Sequence, residues 1–339
     1  MPTGGGLVDR QHAGKQELLK AFAREREVAI GCLPDLLAVR WPECRANTRG
    51  NWRALLQVNA MTTYATVHSG SAKLALTDTG IGSPVVFLHA GVADSRAWQP
   101  CIDALENLIG SFRAIAYDRR GFGESTCVKE QHSRVADLIS VLDACEVDQA
   151  VLIGNSQGGR IAIDAALSHP KRVRALVLIG TAVSGAPDVG AYPPATQQLI
   201  ERIEEAENAG EIDTVNRLEA HLWLDGPATP EGRVGGAARS LFLDMNNRAL
   251  RADDAGVVTD RIDAWHLLAT LQVPVLVMVG DLDLQHLQER SASLADTIAD
   301  AKLIVLDGCA HLPALEAPER CARAMADFIK SKGSTSIVL

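Results

Sequence analysis

The chain has 339 residues, of which 47% are hydrophobic and 22% charged, enough to build one large soluble domain or two smaller ones. Its formal net charge is −9 and no cluster of Lys and Arg is interleaved with aromatic residues, which excludes nucleic acid as an expected partner. No apolar run approaches the roughly 20 residues that span a bilayer and the amino terminus lacks the apolar core of a signal peptide, so no membrane contact is expected.

Residues 1–60 differ in charge from the rest of the chain. They hold nine Lys and Arg against six Asp and Glu, which leaves 24 against 36 in residues 61–339. Glycine and proline interrupt every helical pattern in this segment except that of residues 16–30. We expect a poorly ordered extension, and three alternatives stay open: a regulatory arm, an assembly segment, or an upstream start with Met61 as the true initiator.

Short strands begin at residue 64. Segments 64–67 and 73–77 predict an antiparallel hairpin with its turn at 68–71. Four apolar runs follow, each too short for a helix and of the kind that strands show when both faces are covered. These runs are 85–88, 115–117, 151–153 and 176–179.

Helical spacing separates these strands. Trp98, Ile102 and Leu105 recur at i, i+4 and i+7, and residues 135–142 repeat the same stripe. The alternation of strands and helices predicts an α/β fold with a mostly parallel, doubly wound sheet. In such a sheet the ligand site lies at the carboxyl ends of the strands.

The alternation stops over residues 185–263, where helical patterns predominate. The predicted helices cover 196–207, 212–224 and 236–247. We expect a helical cap inserted into a core of residues 61–184 and 264–332. The alternation then resumes with a strand at 275–279, a helix at 289–298, a strand at 303–306 and a closing helix at 319–330.

The stretch 150–163 carries the strongest chemical signal. An apolar run meets Gly154, Ser156 follows two residues later, and Gly158 opens a segment with helical spacing, which is G-x-S-x-G between a strand and a helix. Small residues let the backbone turn sharply and leave the serine strained with its hydroxyl exposed. Ser156 is therefore the candidate nucleophile, and a serine that merely occupies a glycine turn is the plain alternative.

A serine hydroxyl needs a base to take its proton, and that base is itself held by a third group. His311 follows the last predicted strand and Asp283 follows the strand before it, so the chain order is Ser, Asp, His. Asp281 occupies the same loop and stays open as the alternative acid, although the distance from the strand end favours Asp283.

The fourth part of such a site is a pair of backbone N–H groups that bind the oxyanion. Gln157, directly after the candidate nucleophile, supplies the first. Gly91, in the loop after the third strand, is expected to supply the second, because glycine lets the main chain approach a ligand closely. His89 in the same loop is interpreted as a structural histidine, since the site already has its base.

The seven cysteines are scattered, with no C-x-x-C pair and no Cys/His spacing that suits zinc. They are interpreted as small core or loop residues, and their usage indicates a reducing compartment, so we expect a cytoplasmic protein. Metal-ligand spacing is absent, and no glycine fingerprint for a nucleotide opens a βαβ unit. No cofactor and no metal are expected.

Taken in order, these motifs resemble the α/β-hydrolase superfamily, close to its compact esterase, enol-lactonase and cofactor-free haloperoxidase branch. Besides the elbow, the acid and the histidine, the resemblance rests on His-Ala-Gly at 89–91 and on Tyr-Asp-Arg-Arg-Gly-Phe-Gly-Glu-Ser at 117–125. It extends over about 61–330. It implies an α/β-hydrolase fold with a helical cap at about 185–263, and the segment before residue 61 has no counterpart in the family pattern.

The resemblance also assigns roles to residues. The family's serine, acid and histidine carry over to Ser156, Asp283 and His311. A serine at the elbow argues against the haloalkane dehalogenase and epoxide hydrolase relatives, which use aspartate there. Ala90 replaces a more common glycine, which weakens the inference about the oxyanion loop.

These observations predict a serine hydrolase that cleaves the ester or lactone of a small, largely apolar substrate. The same residues also suit hydrolysis of a carbon–carbon bond next to a ketone, acyl transfer to an alcohol or peroxide, or a ligand receptor with slow turnover. The small-molecule substrate is the expected partner, and an oligomer is not indicated. Candidate pocket walls, for which plain core packing is an equal alternative, are Trp98, Trp223, Phe242 and Trp265.

Overall fold

An eight-stranded sheet forms the centre of the protein. The computed structural model describes residues 62–110 and 112–333, and the extension expected over residues 1–60, with Met61 as its alternative start, lies outside them. The strands are β1 (Thr63–Ser69), β2 (Ala72–Thr79), β3 (Pro84–Leu88), β4 (Arg113–Tyr117), β5 (Ala150–Asn155), β6 (Val173–Ile179), β7 (Val275–Gly280) and β8 (Ala301–Leu306).

The strand order is β1-β2-β4-β3-β5-β6-β7-β8. The β1/β2 and β2/β4 pairs are antiparallel, and the strands from β4 to β8 run parallel to one another. Strand β5 lies between β3 and β6, and all of its residues are buried. This arrangement confirms the predicted α/β fold with a mostly parallel, doubly wound sheet.

The first hairpin is tighter than the predicted four-residue turn at 68–71. The strands pair as far as Ser69 and Ala72, so that only Gly70 and Ser71 form the turn. Gly70 has a φ of +57°, a backbone conformation that two-residue hairpin turns require and that glycine adopts without strain.

Ten α-helices of the described residues surround or cap the sheet. They are α1 (Gln99–Ile109), α2 (Arg134–Ala144), α3 (Gln157–Ser168), α4 (Pro194–Ala209), α5 (Ile212–Glu219), α6 (Gly236–Leu250), α7 (Ala264–Leu267), α8 (Gln285–Thr297), α9 (Pro313–Glu316) and α10 (Pro318–Gly333). Within the described ranges, no helix combines the length and the apolar character that crossing a membrane requires.

Two apolar layers cover the sheet, one on each face. Side chains alternate along a strand, so Val86 and Leu88 pack with α2, α3 and α8, whereas Val85 and Phe87 pack with α1 and α10. The central strands can be apolar throughout because both of their faces are covered. Because both faces of the sheet are covered by apolar layers, polar side chains lie at the carboxyl ends of the parallel strands.

The cap lies between β6 and β7 and has an apolar core of its own. Residues from α4, α5 and α6 meet there, and the cluster extends to Leu312 and Leu315 beside the last strand. Leu284 and Leu287 belong to the same cluster. Their burial accounts for the start of α8 at Gln285, four residues before the predicted helix at 289–298.

The predicted cap helix over 212–224 does not continue to its end. Helix α5 ends at Glu219, and Ala220–Asp225 form a wider π-helical segment. The carbonyl of Trp223 accepts a hydrogen bond from the N–H of His311, at 3.2 Å. Arg233 donates to the carbonyls of the two residues after Trp223. These carbonyls accept hydrogen bonds from groups outside the helix, which explains why the regular α-helical hydrogen bonding is lost here.

Candidate active site

Ser156 stands at a sharp turn between β5 and α3. Its φ is +53° and its ψ is −114°, a strained conformation for a residue other than glycine. The turn brings the chain so close to itself that a Cβ on Gly154 would lie 2.4 Å from the nitrogen of Gly159. A Cβ on Gly158 would lie 2.0 Å from the carbonyl oxygen of Leu88. Both glycines of the G-x-S-x-G pattern are thus required by close backbone approach.

Hydrogen bonds from neighbouring strands hold this turn. The N–H of Ser156 donates to the carbonyl of Ile179 at 2.8 Å, and the N–H of Ala182 donates to the carbonyl of Ser156 at 3.2 Å. The side-chain amide of Asn155 donates to the carbonyls of Ile179 at 2.9 Å and of His311 at 3.1 Å. Asn155 therefore ties the nucleophile strand to the loop that carries the histidine.

The structure brings His311 and Asp283 together. Nδ1 of His311 lies 2.9 Å from Oδ2 of Asp283, and both side chains are 2% exposed. The other carboxylate oxygen accepts the N–H of Leu284 at 2.8 Å. Because the carboxylate accepts a hydrogen bond from Nδ1–H, the proton of a neutral imidazole is on Nδ1, and the unprotonated Nε2 can act as a base. The exposed Asp281 does not make this contact.

The four aromatic candidates for pocket walls occupy different places. The ring of Trp223 lies 4.8 Å from that of His311 and so belongs to the site. Trp98 is buried in the layer with α1 and α10, and it also lines a small cavity together with Ala90, Asn155 and Leu312. Phe242 is fully buried inside the cap core, and Trp265 packs against the layer with α2 and α3. For Phe242 and Trp265, core packing is the better description.

One arginine connects the two segments that carry the expected oxyanion donors. Gln157 is the first residue of α3, so its backbone N–H lies at the helix N-terminus, where the helix dipole favours negative charge. Arg119 donates to Oε1 of Gln157 at 2.9 Å and to the carbonyl of Ala90 at 3.0 Å. Ala90 directly precedes Gly91, the second expected donor. Arg119 therefore ties the start of α3 to the loop after β3.

His89 holds the loop after β3. Its Nε2 accepts the N–H of Arg119 at 3.1 Å, so the ring proton is on Nδ1, which donates to the carbonyl of Ala90 at 2.8 Å. Burial and the nearby Arg119 lower the pKa of His89 well below its usual value, which keeps the ring neutral. Nδ1 bonds within the loop after β3 and Nε2 bonds to the segment after β4, in agreement with the structural role expected from the sequence.

Arg119 is the residue at this site that the sequence analysis did not single out. It is 5% exposed, and its guanidinium carbon lies 4.4 Å above the ring of Phe122. Burial, together with a smaller effect of the charge of Arg134, lowers the pKa of Arg119 to about 9. The available signal was its position two residues after β4, at the same edge of the sheet as Ser156.

The described residues contain no cluster of three or more His, Cys, Asp or Glu that could hold a metal ion. Five cysteines in this part of the chain are free thiols. Cys309, near the histidine loop, has its pKa raised to about 11 by burial, so it is a thiol at neutral pH and a poor nucleophile.

Known proteins share this architecture. The model of the alpha/beta hydrolase family matches residues 85–324. A 2-hydroxymuconate semialdehyde hydrolase of Pseudomonas sp. is 31% identical over 272 residues, which cover 77% of this chain and 92% of the relative. An esterase of Rhodococcus sp. is 27% identical with a TM-score of 0.63, covering 80% of this chain and 98% of that structure. An enol-lactonase of Burkholderia xenovorans, 21% identical with a TM-score of 0.62, covers 79% of this chain and 100% of its own and is similar in fold alone.

Proposed function

The chain belongs to the alpha/beta hydrolase family and is a hydrolase, and we propose that it is a serine hydrolase that cleaves a carboxylic ester or lactone of a small, largely apolar substrate. Ser156 is the nucleophile, His311 the base and Asp283 the acid that orients the imidazole. The observation that supports this most strongly is the buried contact of 2.9 Å between Asp283 and His311, beside a serine in a strained turn.

The reaction follows from the proton positions. Nε2 of His311 takes the proton of the Ser156 hydroxyl as its oxygen attacks the substrate carbonyl, and the negative charge moves to the carbonyl oxygen. The N–H groups of Gly91 and Gln157 bind that oxyanion, and each such donor lowers the barrier by about 2.7–4 kcal/mol. The imidazolium then protonates the leaving alcohol. Water, activated by the same imidazole, hydrolyses the acyl-enzyme.

The surroundings of His311 support an apolar substrate. The ring of Trp223 lies against the imidazole, and the cap cluster reaches Leu312, the residue directly after the histidine. An apolar wall excludes water and strengthens the electrostatic interactions of the site. We therefore expect faster hydrolysis of substrates that place an apolar acyl chain against this wall than of substrates that place a charged group there.

A second candidate is hydrolysis of a carbon–carbon bond next to a ketone. It is favoured by the relative with 31% identity, a 2-hydroxymuconate semialdehyde hydrolase, and by further relatives named as hydrolases of 2-hydroxy-6-oxo dienoates. Nucleophilic attack on the ketone is the same step as for an ester. The difference lies in the leaving group, because a carbon can leave only if conjugation to a second carbonyl accepts its electron pair.

The test compares the two bonds in one enzyme. A fluorophosphonate probe should label the wild type and neither Ser156→Ala nor His311→Ala, and both variants should lose hydrolysis of p-nitrophenyl butyrate. The kcat/KM for this ester is then compared with that for 2-hydroxymuconate semialdehyde. A higher value for the ester supports the first proposal, and a higher value for the semialdehyde replaces it with the second.

Two results would contradict both candidates. A folded wild type that the probe does not label has no activated serine. A stoichiometric burst of p-nitrophenol without further turnover would indicate a ligand receptor that retains the site.

A further inference from the structure

A cavity of about 90 Å³ lies on the side of Gln157 that faces α2 and the end of the cap. Tyr117 and Arg119 line it from the carboxyl end of β4, Arg134 from the start of α2, and Ala252 from the chain after α6. A single water needs only roughly 10–15 Å³ of such space, so the cavity can take a carboxylate with a short carbon chain. Because Gln157 lines it and follows the nucleophile directly, it adjoins the candidate active site.

Two of the three guanidinium groups that line this cavity have no carboxylate partner among the described residues. The lining includes Arg119, Arg120 and Arg134 together with Asp137 and Asp253. Arg120 pairs with Asp137, at 2.8 and 3.0 Å, and also with Glu130 outside the lining. Within the described part of the chain, no carboxylate lies within ion-pairing distance of the guanidinium of Arg119 or Arg134, although Asp260 accepts the backbone N–H of Arg134. These two guanidinium groups can therefore pair with an anion in the cavity.

Polar hydrogens that line the cavity have no acceptor among the described residues. Tyr117 is 0% exposed and its hydroxyl has no hydrogen-bond partner there, nor has Nε of the buried Arg119. The side chain of Arg134 is half-buried and makes no hydrogen bond to a described residue, although its backbone N–H does. Buried donors without partners destabilise a folded protein, so the two on Tyr117 and Arg119, beside one cavity, indicate a ligand that accepts hydrogen bonds.

The donor set also defines the chemistry of that ligand. Guanidinium groups only donate hydrogen bonds, and a tyrosine hydroxyl supplies one further donor. A carboxylate is an acceptor at both oxygens and matches a planar guanidinium with two parallel hydrogen bonds. Burial lowers the pKa of Arg134 to about 10, so both arginines still carry their charge at neutral pH.

We propose that Arg119, Arg134 and Tyr117 form a binding site for the carboxylate of a small organic acid. The carboxylate lies between the two guanidinium groups and accepts the hydroxyl hydrogen of Tyr117. The acid is either part of the substrate, with its reacting carbonyl reaching past Gln157 to Ser156, or a separate molecule. The first of these sources rests on the proposed function, whereas binding itself does not.

Binding is tested with butyrate and with butyramide, which has the same shape but no charge. Calorimetry and thermal unfolding of the full chain should show that butyrate binds and raises Tm, and that butyramide does neither. Arg134→Met should weaken butyrate binding at least tenfold, and Tyr117→Phe about tenfold. Arg323→Met, which removes an exposed arginine from α10, is the matched control and should leave binding unchanged.

Tyr117→Phe distinguishes a ligand site from a structural role. Its hydroxyl has no partner to lose among the described residues, so the variant should unfold at the same temperature as the wild type, or a higher one, without butyrate. Equal effects of butyrate and butyramide would overturn the proposal. So would butyrate binding that Arg134→Met leaves unchanged, which would place the acid in the catalytic centre.

A kinetic comparison identifies the source of the carboxylate. If the substrate carries it, p-nitrophenyl hemisuccinate should have a kcat/KM at least tenfold above that of p-nitrophenyl butyrate, and Arg134→Met should abolish this preference. If the acid is a separate molecule, Arg134→Met should lose butyrate binding while the ratio for the two esters stays constant. Failure of all hydrolysis with intact butyrate binding would reject the proposed function and retain the site.

Discussion

Gly180, directly after β6, is the position at which the smallest change should damage the catalytic pair. Its φ is +47°, in the left-handed region. A Cβ there would lie 2.8 Å from Oδ2 of Asp283 and 3.0 Å from Nδ1 of His311, the two atoms that share the hydrogen bond. Ordinary contact begins at 3.4 Å, so the methyl group of Gly180→Ala must displace the carboxylate by about 0.6 Å.

Two effects of Gly180→Ala can be given a magnitude. A left-handed conformation destabilises an alanine by about 1–2 kcal/mol, which should appear in urea unfolding. Displacement of a catalytic group by 1 Å reduces a rate by about 10²-fold, so a shift of about 0.6 Å should reduce kcat/KM by about 10- to 100-fold. The assay is hydrolysis of p-nitrophenyl butyrate by protein shown to be folded by circular dichroism.

Gly210→Ala is the matched control. Gly210 follows α4 with a φ of +72°, and nothing lies within 4 Å of the position that a Cβ would take. It should lose the same 1–2 kcal/mol of stability and keep its kcat/KM. If both variants lose activity equally, or if Gly180→Ala retains full activity, the Asp283 and His311 contact is not the feature on which the rate depends.

Three further predictions concern other carboxylates. Asp283→Asn should lower kcat by about 10³- to 10⁴-fold because the amide favours the wrong tautomer of the imidazole. Asp281→Asn should leave kcat unchanged. Equal losses of kcat in the two variants would contradict the assignment of Asp283 as the acid. Burial raises the pKa of Glu219 to about 7, above its unfolded value, so the free energy of unfolding should fall as pH rises from about 4.5 to about 7. Glu219→Gln should therefore raise Tm at pH 8 and leave it unchanged at pH 5. The same change in Tm at both pH values would contradict this. Arg233→Met should lower the free energy of unfolding by about 3–5 kcal/mol because it leaves the buried carboxylate of Glu316 unpaired, and adding Glu316→Gln should recover much of the loss in urea unfolding.

Strand-end reasoning on the sequence could select Ser156 and His311 as candidates because each follows an apolar run within five residues. It could not choose between Asp281 and Asp283 on firm grounds. The two residues lie two positions apart in the same loop. Which of them pairs with the imidazole depends on the position of His311, which comes from a distant part of the chain. The structure pairs Asp283 with the imidazole through a loop held by Leu282, whose N–H donates to the carbonyl of Cys309.

The π-helical segment of the cap and the role of Arg119 could not be predicted from the sequence, because both depend on contacts between residues far apart in the chain. The π-helical segment at Ala220–Asp225 depends on acceptors and donors far along the chain, and its local pattern is that of an ordinary helix. Arg119 lies in a recognised motif, yet its role depends on Gln157 at the start of α3 and on Ala90 in the loop after β3. Periodicity describes local structure well and carries no information about such contacts.

The place at which the cap joins the sheet makes it an exchangeable module. The chain leaves β6 after Ile179 at the carboxyl edge of the sheet, and because β7 runs parallel to β6 it enters β7 at Val275 from the opposite edge. The returning segment packs in the core through Ala264 and Leu268, so an insert of another length placed before it leaves the strand register unaltered. A graft would need to preserve the carbonyl that meets the N–H of His311, a cation for Glu316 and an apolar surface for Leu312. We therefore expect that exchange of this one segment changes the range of substrates while the carboxyl edge of the sheet keeps its geometry.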